Sequence, residues 1–255
     1  MKSNTCGWIG LAVALTLVVL LGGCVKVEQT LTLAKDGSGT LDIRYGMSEQ
    51  TLAQLAAMQQ IAERMGQTAT EGAGAAPPFD FDAATVRQQF ETHHPEGIAL
   101  ISLESETLDG WKYMNLKLSF EDLAALQQTQ LFSDGQMSLS RNAAGNYVLR
   151  LSIGTGEAIP SSPVTADDPT QAAIMQQMAG LFAGMRIVTT VVAPSAVIAS
   201  NATKLEDRTA TWVFDVDEDP TLVAQLQQME LRLVFDSQGV ELTEFASPLE
   251  EESRP

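Results

Sequence analysis

A chain of 255 residues with 32 acidic and 15 basic side chains, formally −17, is long enough for one large domain or two small ones. That charge disfavours nucleic acid and anionic lipid surfaces as partners, and leaves cations, neutral lipid or a basic protein. Two cysteines and two histidines are too few for a thiolate metal centre.

The first residues read as an export signal. Lys2 precedes an apolar run from Trp8 to Leu21, and Gly22-Gly23-Cys24 follows; a positive start, a short apolar core and small residues before a cut are its parts. As a helix the run would rise ~21 Å, short of the ~30 Å hydrocarbon core, which disfavours a membrane span. The segment Leu21-Gly22-Gly23-Cys24 resembles the lipobox of bacterial lipoproteins. The resemblance implies cleavage before Cys24 and acylation, palmitate included, of its thiol and new amine. About three acyl chains at ~0.8 kcal/mol per buried CH₂ exceed the two needed for stable anchoring. Val25 follows the cysteine in place of aspartate; in the enterobacterial pattern this implies the periplasmic face of the outer membrane. Loss of residues 1–23 removes Cys6 and Lys2, so the mature chain keeps one cysteine and a charge of about −18.

Elements follow in chain order. Val25, Val27, Leu31 and Leu33 lead into Lys35-Asp36-Gly37-Ser38-Gly39, and Leu41, Ile43 and Tyr45 alternate away from it, which predicts a hairpin. Ser48 then caps a helix whose apolar positions, Leu52, Leu55, Met58, Ile61 and Met65, recur at threes and fours. Residues 66–82 read as a loop around Pro77-Pro78, and a short helix from Asp82 to Glu91 turns Val86 and Phe90 inward. Strands over Ile98–Glu106 and Trp111–Phe120 flank Leu108-Asp109-Gly110. A helical turn over Glu121–Gln128 precedes a third hairpin, Met137–Leu139 with Tyr147–Ile153.

Gly154–Pro169, with Pro160, Pro163 and Pro169, reads as a linker between a region at 24–153 and a second region at 170–246. The second region opens with a helix over Thr170–Gly184 built on Ile174, Met178, Leu181 and Phe182. Strands over Met185–Val192 and Arg208–Val216 follow, with Val197–Ser200 continuing the sheet past Ala193-Pro194-Ser195. A helix over Thr221–Met229, a strand over Leu231–Phe235 and an acidic tail at 247–255 complete the chain. The Leu-Ala-Gln-Gln runs near Gln60, Gln128 and Gln228 are alike, but these residues are simply good helix formers, and composition explains them better than duplication. The class is α+β: a mostly antiparallel twisted sheet of hairpins with amphipathic helices packed on it.

Two patches carry a family likeness. One is the Asp-Gly hairpin from Val25 to Ser48, directly after the cysteine; the other runs from Ile187 to Asp215, where a proline, the Asn201 turn and the Trp212 strand follow one another. Both are similar to the LppM-domain lipoproteins of bacteria. The resemblance covers about fifty residues and implies a twisted antiparallel sheet with helices against it, able to hold a lipid. Ala193-Pro194-Ser195 and Asn201-Ala202 depart from that pattern, where glycine is the commoner second residue.

Catalytic signatures are missing. His93 and His94 are adjacent and precede Pro95, so they do not converge on one metal. No serine sits in a nucleophile elbow, and the glycine pairs Gly37/Gly39 and Gly154/Gly156 lack a phosphate-loop context. Asp215, Asp217 and Asp219 offer hard oxygens for calcium but not the spacing of a calcium loop. Acidic residues before a helix are favoured by its dipole, so capping outweighs metal binding there.

Trp111 and Tyr113 lie opposite Met114, Leu116, Leu118 and Phe120 on one strand, so both faces of that strand start apolar. Helix cover explains this, and so does an apolar cavity contacted by Trp111, Tyr113, Met58 and Met178, methionine adapting to irregular contents. The sequence thus reads as an anchored envelope lipoprotein with a non-enzymatic binding or assembly role and no cofactor. A lipid-binding domain and an envelope hydrolase with an unusual carboxylate site are the alternatives. If self-repulsion dominates at this charge, melting temperature rises from low to physiological salt, where the Debye length is ~8 Å. A flat or falling curve in scanning fluorimetry would instead show the charges to be locally paired.

Overall fold

The computed structural model describes residues 25–64, 80–93, 96–129, 132, 137–153, 184–222 and 229–246. The expected signal, Cys24, the linker expected over 154–169, most of the helix expected over 170–184 and the acidic residues 247–255 lie outside them. Within them the chain is strand-rich and broadly α+β, with one mixed and one antiparallel sheet.

The opening hairpin forms where the alternation placed it. Strand β1 (Val25–Leu33) pairs with β2 (Gly39–Ser48) from Val25↔Met47 to Leu33↔Gly39. Asp36 accepts from the Ser38 amide and hydroxyl at 3.1 and 2.7 Å, and Gly37 takes the φ of +89° that the turn requires. Ser48 Oγ accepts from the Thr51 amide at 3.1 Å and starts helix α1 (Glu49–Arg64). Asp82 does the same for helix α2 (Ala83–His93) through the Ala84 amide. Strands β3 (Ile98–Leu108) and β4 (Trp111–Phe120) then pair antiparallel, with a register shift between Leu100 and Ser102. The brief helix α3 (Leu123–Gln127) is capped by Asp122, and β5 (Met137–Arg141) turns into β6 (Tyr147–Ile153) through Asn142.

After residue 183 come β7 (Arg186–Val192), β8 (Val197–Ser200), β9 (Lys204–Glu206), β10 (Thr209–Asp215) and β11 (Met229–Phe235). The first sheet has the order β3-β4-β2-β1-β7-β10-β9 and the second β5-β6-β11-β8. Each sheet therefore contains strands from before residue 154 and from after residue 183. Two pairings depart from the hairpin reading. Strand β1 pairs with β7 in parallel, from Lys26↔Arg186 to Thr32↔Val192. Strand β8 does not continue the sheet of β7 but joins β11 in the second sheet. Period-2 alternation says which face a residue takes, not which strand lies beside it. At the crossing, Pro194 has no amide for a ladder, and Ser195 Oγ donates to the Asp236 carbonyl instead. A third difference is small: Met229 begins β11, so the helix expected over 221–229 cannot reach it.

Apolar side chains from both sheets form one buried cluster, with Leu31, Leu41, Leu118 and Trp212 from the first and Leu139, Tyr147, Leu233 and Phe235 from the second. Burying each such side chain contributes roughly 1.5–3 kcal/mol. A second cluster, Met47, Phe81, Leu103 and Met114, takes Leu52 and Leu55 of α1 and Val86 of α2 at its edge. Between the sheets stands Asn201. Its Oδ1 accepts from Trp212 Nε1 at 2.9 Å and from the Arg232 amide at 2.8 Å, while Nδ2 donates to the Glu230 carbonyl at 2.7 Å. One amide side chain thus ties β10 to β11.

Asn201→Ala leaves the indole N–H of a tryptophan only 3% exposed without its acceptor, a loss of about 1–3 kcal/mol. At roughly 2–4 °C per kcal/mol the melting temperature falls measurably, and Asn201→Asp, which keeps the acceptor oxygen, loses less. Equal losses in calorimetry would deny the indole bond its part. Tyr45 supplies a pH test. Its hydroxyl donates to the Asp80 carbonyl at 2.6 Å, and burial, then the Asp80 charge, push its pKa up to about 12. The folded state holds this proton more tightly than the unfolded one, so its contribution is complete below about pH 10 and is lost as pH rises toward 12. In urea melts, Tyr45→Phe should lower stability at neutral pH and flatten the alkaline decline.

Candidate functional site

The alternation that buries Leu31, Ile43, Leu118 and Val191 sends their neighbours to the other face of the seven-stranded sheet. Register sets these in rows. Arg186, Lys26, Gly46 and Tyr113 stand side by side on β7, β1, β2 and β4. Glu28, Arg44 and Asn115 form the next row, and Thr30, Asp42 and Lys117 the third. Charged and polar side chains gather here in cross-strand pairs, the units that interact on a sheet face.

Charges on this face mostly find partners. Arg44 Nη2 meets Glu106 Oε1 at 3.2 Å, Lys117 meets Asp42 at 2.9 Å, and Arg186 meets Asp215 at 3.7 Å. The hydrogen bond from Asn115, ahead of Arg44, holds the Glu106 carboxyl below its usual range. Pairs this exposed contribute at most about 1 kcal/mol each, so their effect is to orient side chains more than to stabilise the fold. Lys26 and Glu28 have no ion-pair partner among the described residues.

Trp111 and Tyr113 belong to this face. Their rings stack with centroids 6.1 Å apart, Lys26 Nζ sits 3.9 Å over Trp111, and the Arg44 guanidinium sits 3.9 Å over Tyr113. Gly46 makes room: a Cβ there would come within 2.4 Å of the Tyr113 ring. The ring lies flat across β2, only 9% exposed. Beside it a groove of about 240 Å³ is lined by Lys26, Glu28, Arg44, Tyr113 and Arg186. A shallower one of about 250 Å³ continues past Asp42, Asn115 and Lys117.

Of the four apolar contacts read from the sequence, Trp111 and Tyr113 are brought together, but among cations. The side chain of Met58 and all of Met178 lie outside the described residues. Asp215, Asp217 and Asp219 organise the turn after β10. Asp215 Oδ1 accepts from the Asp217 amide at 3.1 Å, Asp217 from the Gly184 amide at 2.7 Å, and Asp219 from the Thr221 amide at 3.0 Å. Among the described residues no three acidic, histidine or cysteine side chains are placed to hold a metal ion. Lys26, Glu28 and Arg44 were missed from sequence, although a hairpin centred on Asp36-Gly37 already sets Glu28 against Arg44. Arg186 had no such signal, because only the parallel pairing brings it beside Lys26.

No protein-family profile and no curated protein matches the chain. Among solved structures it is similar to the NMR structure of the folded domain of the Mycobacterium tuberculosis LppM protein. That likeness has a TM-score of 0.38 at 15% identity, and covers 89% of this chain and 94% of the other. No described helix is long and apolar enough to cross a membrane.

Proposed function

We propose that the chain is an envelope lipoprotein, cleaved before Cys24 and held by lipid on that residue at the periplasmic face of the outer membrane. Its domain binds a partner there without transforming it. The observation that carries this reading is the absence of a spacer: Val25, the residue after Cys24, already belongs to β1, the middle strand of seven. A lipid on Cys24 would therefore hold the whole sheet at the membrane surface, not a domain on a long leash. The lipobox-like Leu21-Gly22-Gly23-Cys24 supports the same attachment, and the acylation it implies suffices for stable anchoring. Binding is favoured over catalysis because the open face offers oriented charges and aromatic rings, with neither histidine nor cysteine among the residues lining its grooves.

Metabolic labelling with palmitate and membrane fractionation test the anchor. The wild-type chain should carry label and sediment with the outer membrane, while Cys24→Ser loses the label and leaves that fraction with its melting temperature unchanged. Label that persists in Cys24→Ser would place the lipid elsewhere.

A further inference from the structure

We propose that the groove between Arg186 and Tyr113 is a binding site for a zwitterionic phosphate ester, one whose alcohol carries an ammonium group. The proposal deepens the reading of a non-enzymatic binder and rests on it, but it does not need the lipid at Cys24.

Local charge runs against the whole. The chain is −17, yet the groove is lined by three cations, Lys26, Arg44 and Arg186, and one carboxylate, Glu28. The carboxylates that meet two of those cations, Glu106 and Asp215, do not line it. Among the described residues Lys26 has only the Trp111 ring against its ammonium. An anion entering between them gains charge-assisted hydrogen bonds without displacing a buried pair. Tyr113 supplies a second, independent sign of a ligand. It is nine-tenths buried and lines the groove, yet its hydroxyl makes no hydrogen bond with any described residue. Buried phenols normally find a partner, and a phosphate oxygen in the groove would be one.

Glu28 decides the kind of anion. Its carboxylate is exposed, unpaired among the described residues, and next to Arg44 in register. It would repel a bare phosphate dianion and attract a positive charge carried beside the phosphate. The volume, about 240 Å³, suits a head group of this size and falls below the ~300 Å³ where drug-sized pockets begin. The same chemistry occurs in free phosphoethanolamine and in the head group of phosphatidylethanolamine.

The test uses the full chain in detergent, with calorimetry against phosphoethanolamine and inorganic phosphate, and sedimentation with phosphatidylethanolamine vesicles. Phosphoethanolamine should bind saturably and more tightly than inorganic phosphate. Lys26→Gln combined with Arg186→Gln should weaken it by about tenfold or more, while Lys204→Gln, a cation paired with Glu206 on edge strand β9, should not. Glu28→Gln should weaken phosphoethanolamine yet leave inorganic phosphate unchanged or tighter. Binding to vesicles alone, with the same variant pattern, would support the site and assign the ligand to the membrane. Inorganic phosphate binding as tightly as phosphoethanolamine, indifference to the variants, or no binding in either arm would overturn the proposal. Mass spectrometry of the same sample reads Cys24 independently, so a missing lipid would refute the anchor without touching the groove.

Discussion

The two halves of the first sheet are joined by the parallel register between β1 and β7. It begins at Lys26↔Arg186 and ends at Thr32↔Val192, and it joins strands more than 150 residues apart in the chain. On the buried face it is pinned by a polar pair: Gln29 Nε2 donates to Thr189 Oγ1 at 2.8 Å, and Thr189 is 1% exposed. A slip by one residue would separate that pair and turn β7's buried Val191 outward, two costs that together define one register. On the open face the same register sets Arg186 beside Lys26, so a buried hydrogen bond on one side determines a cationic edge on the other. Two hairpin-built sheets without this pairing would each expose an unpaired edge where β1 and β7 now meet.

The second sheet is held to the first by side chains, not by a ladder. Apolar packing supplies most of the adhesion and is non-directional; Asn201 adds direction. It occupies the turn between β8 and β9 and bonds to Trp212 of one sheet and the Arg232 backbone of the other. The C-terminal segment repeats the device. Tyr147, fully buried and stacked on Phe235 at 5.6 Å, accepts from the Leu242 amide at 3.0 Å, while the Glu241 amide donates to the Lys35 carbonyl in the first hairpin's turn. Glu244 meets Arg141 at 3.3 Å, and Phe245 bridges to Leu139. Residues 241–245 therefore reach from the first hairpin's turn in one sheet to β5 and β6 of the other.

Net charge and local field are different quantities here. An excess of 17 negative charges acts at long range and is screened by salt within about a Debye length. Arg44 and Tyr113 are held in contact, where geometry and not the sum of charges sets the interaction. Cations placed at the N-terminal end of β1 and its neighbours give an acidic molecule a groove of opposite sign. The flat Tyr113 ring over Gly46 is what opens space for those cations; a side chain at position 46 would lift the ring into it.

Local chemistry was legible wherever neighbours in sequence decide the outcome. Asp36-Gly37, Ser48, Asp82 and Asn142 sit at turns and caps because their side chains bond backbone groups two or three residues away, and alternation assigned Leu31, Leu41 and Leu118 to the core face. The distribution of glycine, polar and apolar residues along each strand was therefore enough for all three hairpins. It was not enough for partners far apart in the chain, because period-2 patterns are identical for a parallel neighbour, an antiparallel neighbour or a strand of another sheet. Hence β8, expected to continue the sheet of β7, joins the second sheet instead, and the cations Lys26 and Arg44 that lie over the Trp111 and Tyr113 rings come from strands other than their own. The sequence by itself determined the turns, the caps, the alternating faces and the acidic balance, all set by interactions within a few residues. Only the tertiary structure decided that Tyr113 and Arg186 join Lys26 and Arg44 of the first hairpin in one groove, since that meeting rests on strand pairing between distant segments, which no local preference encodes.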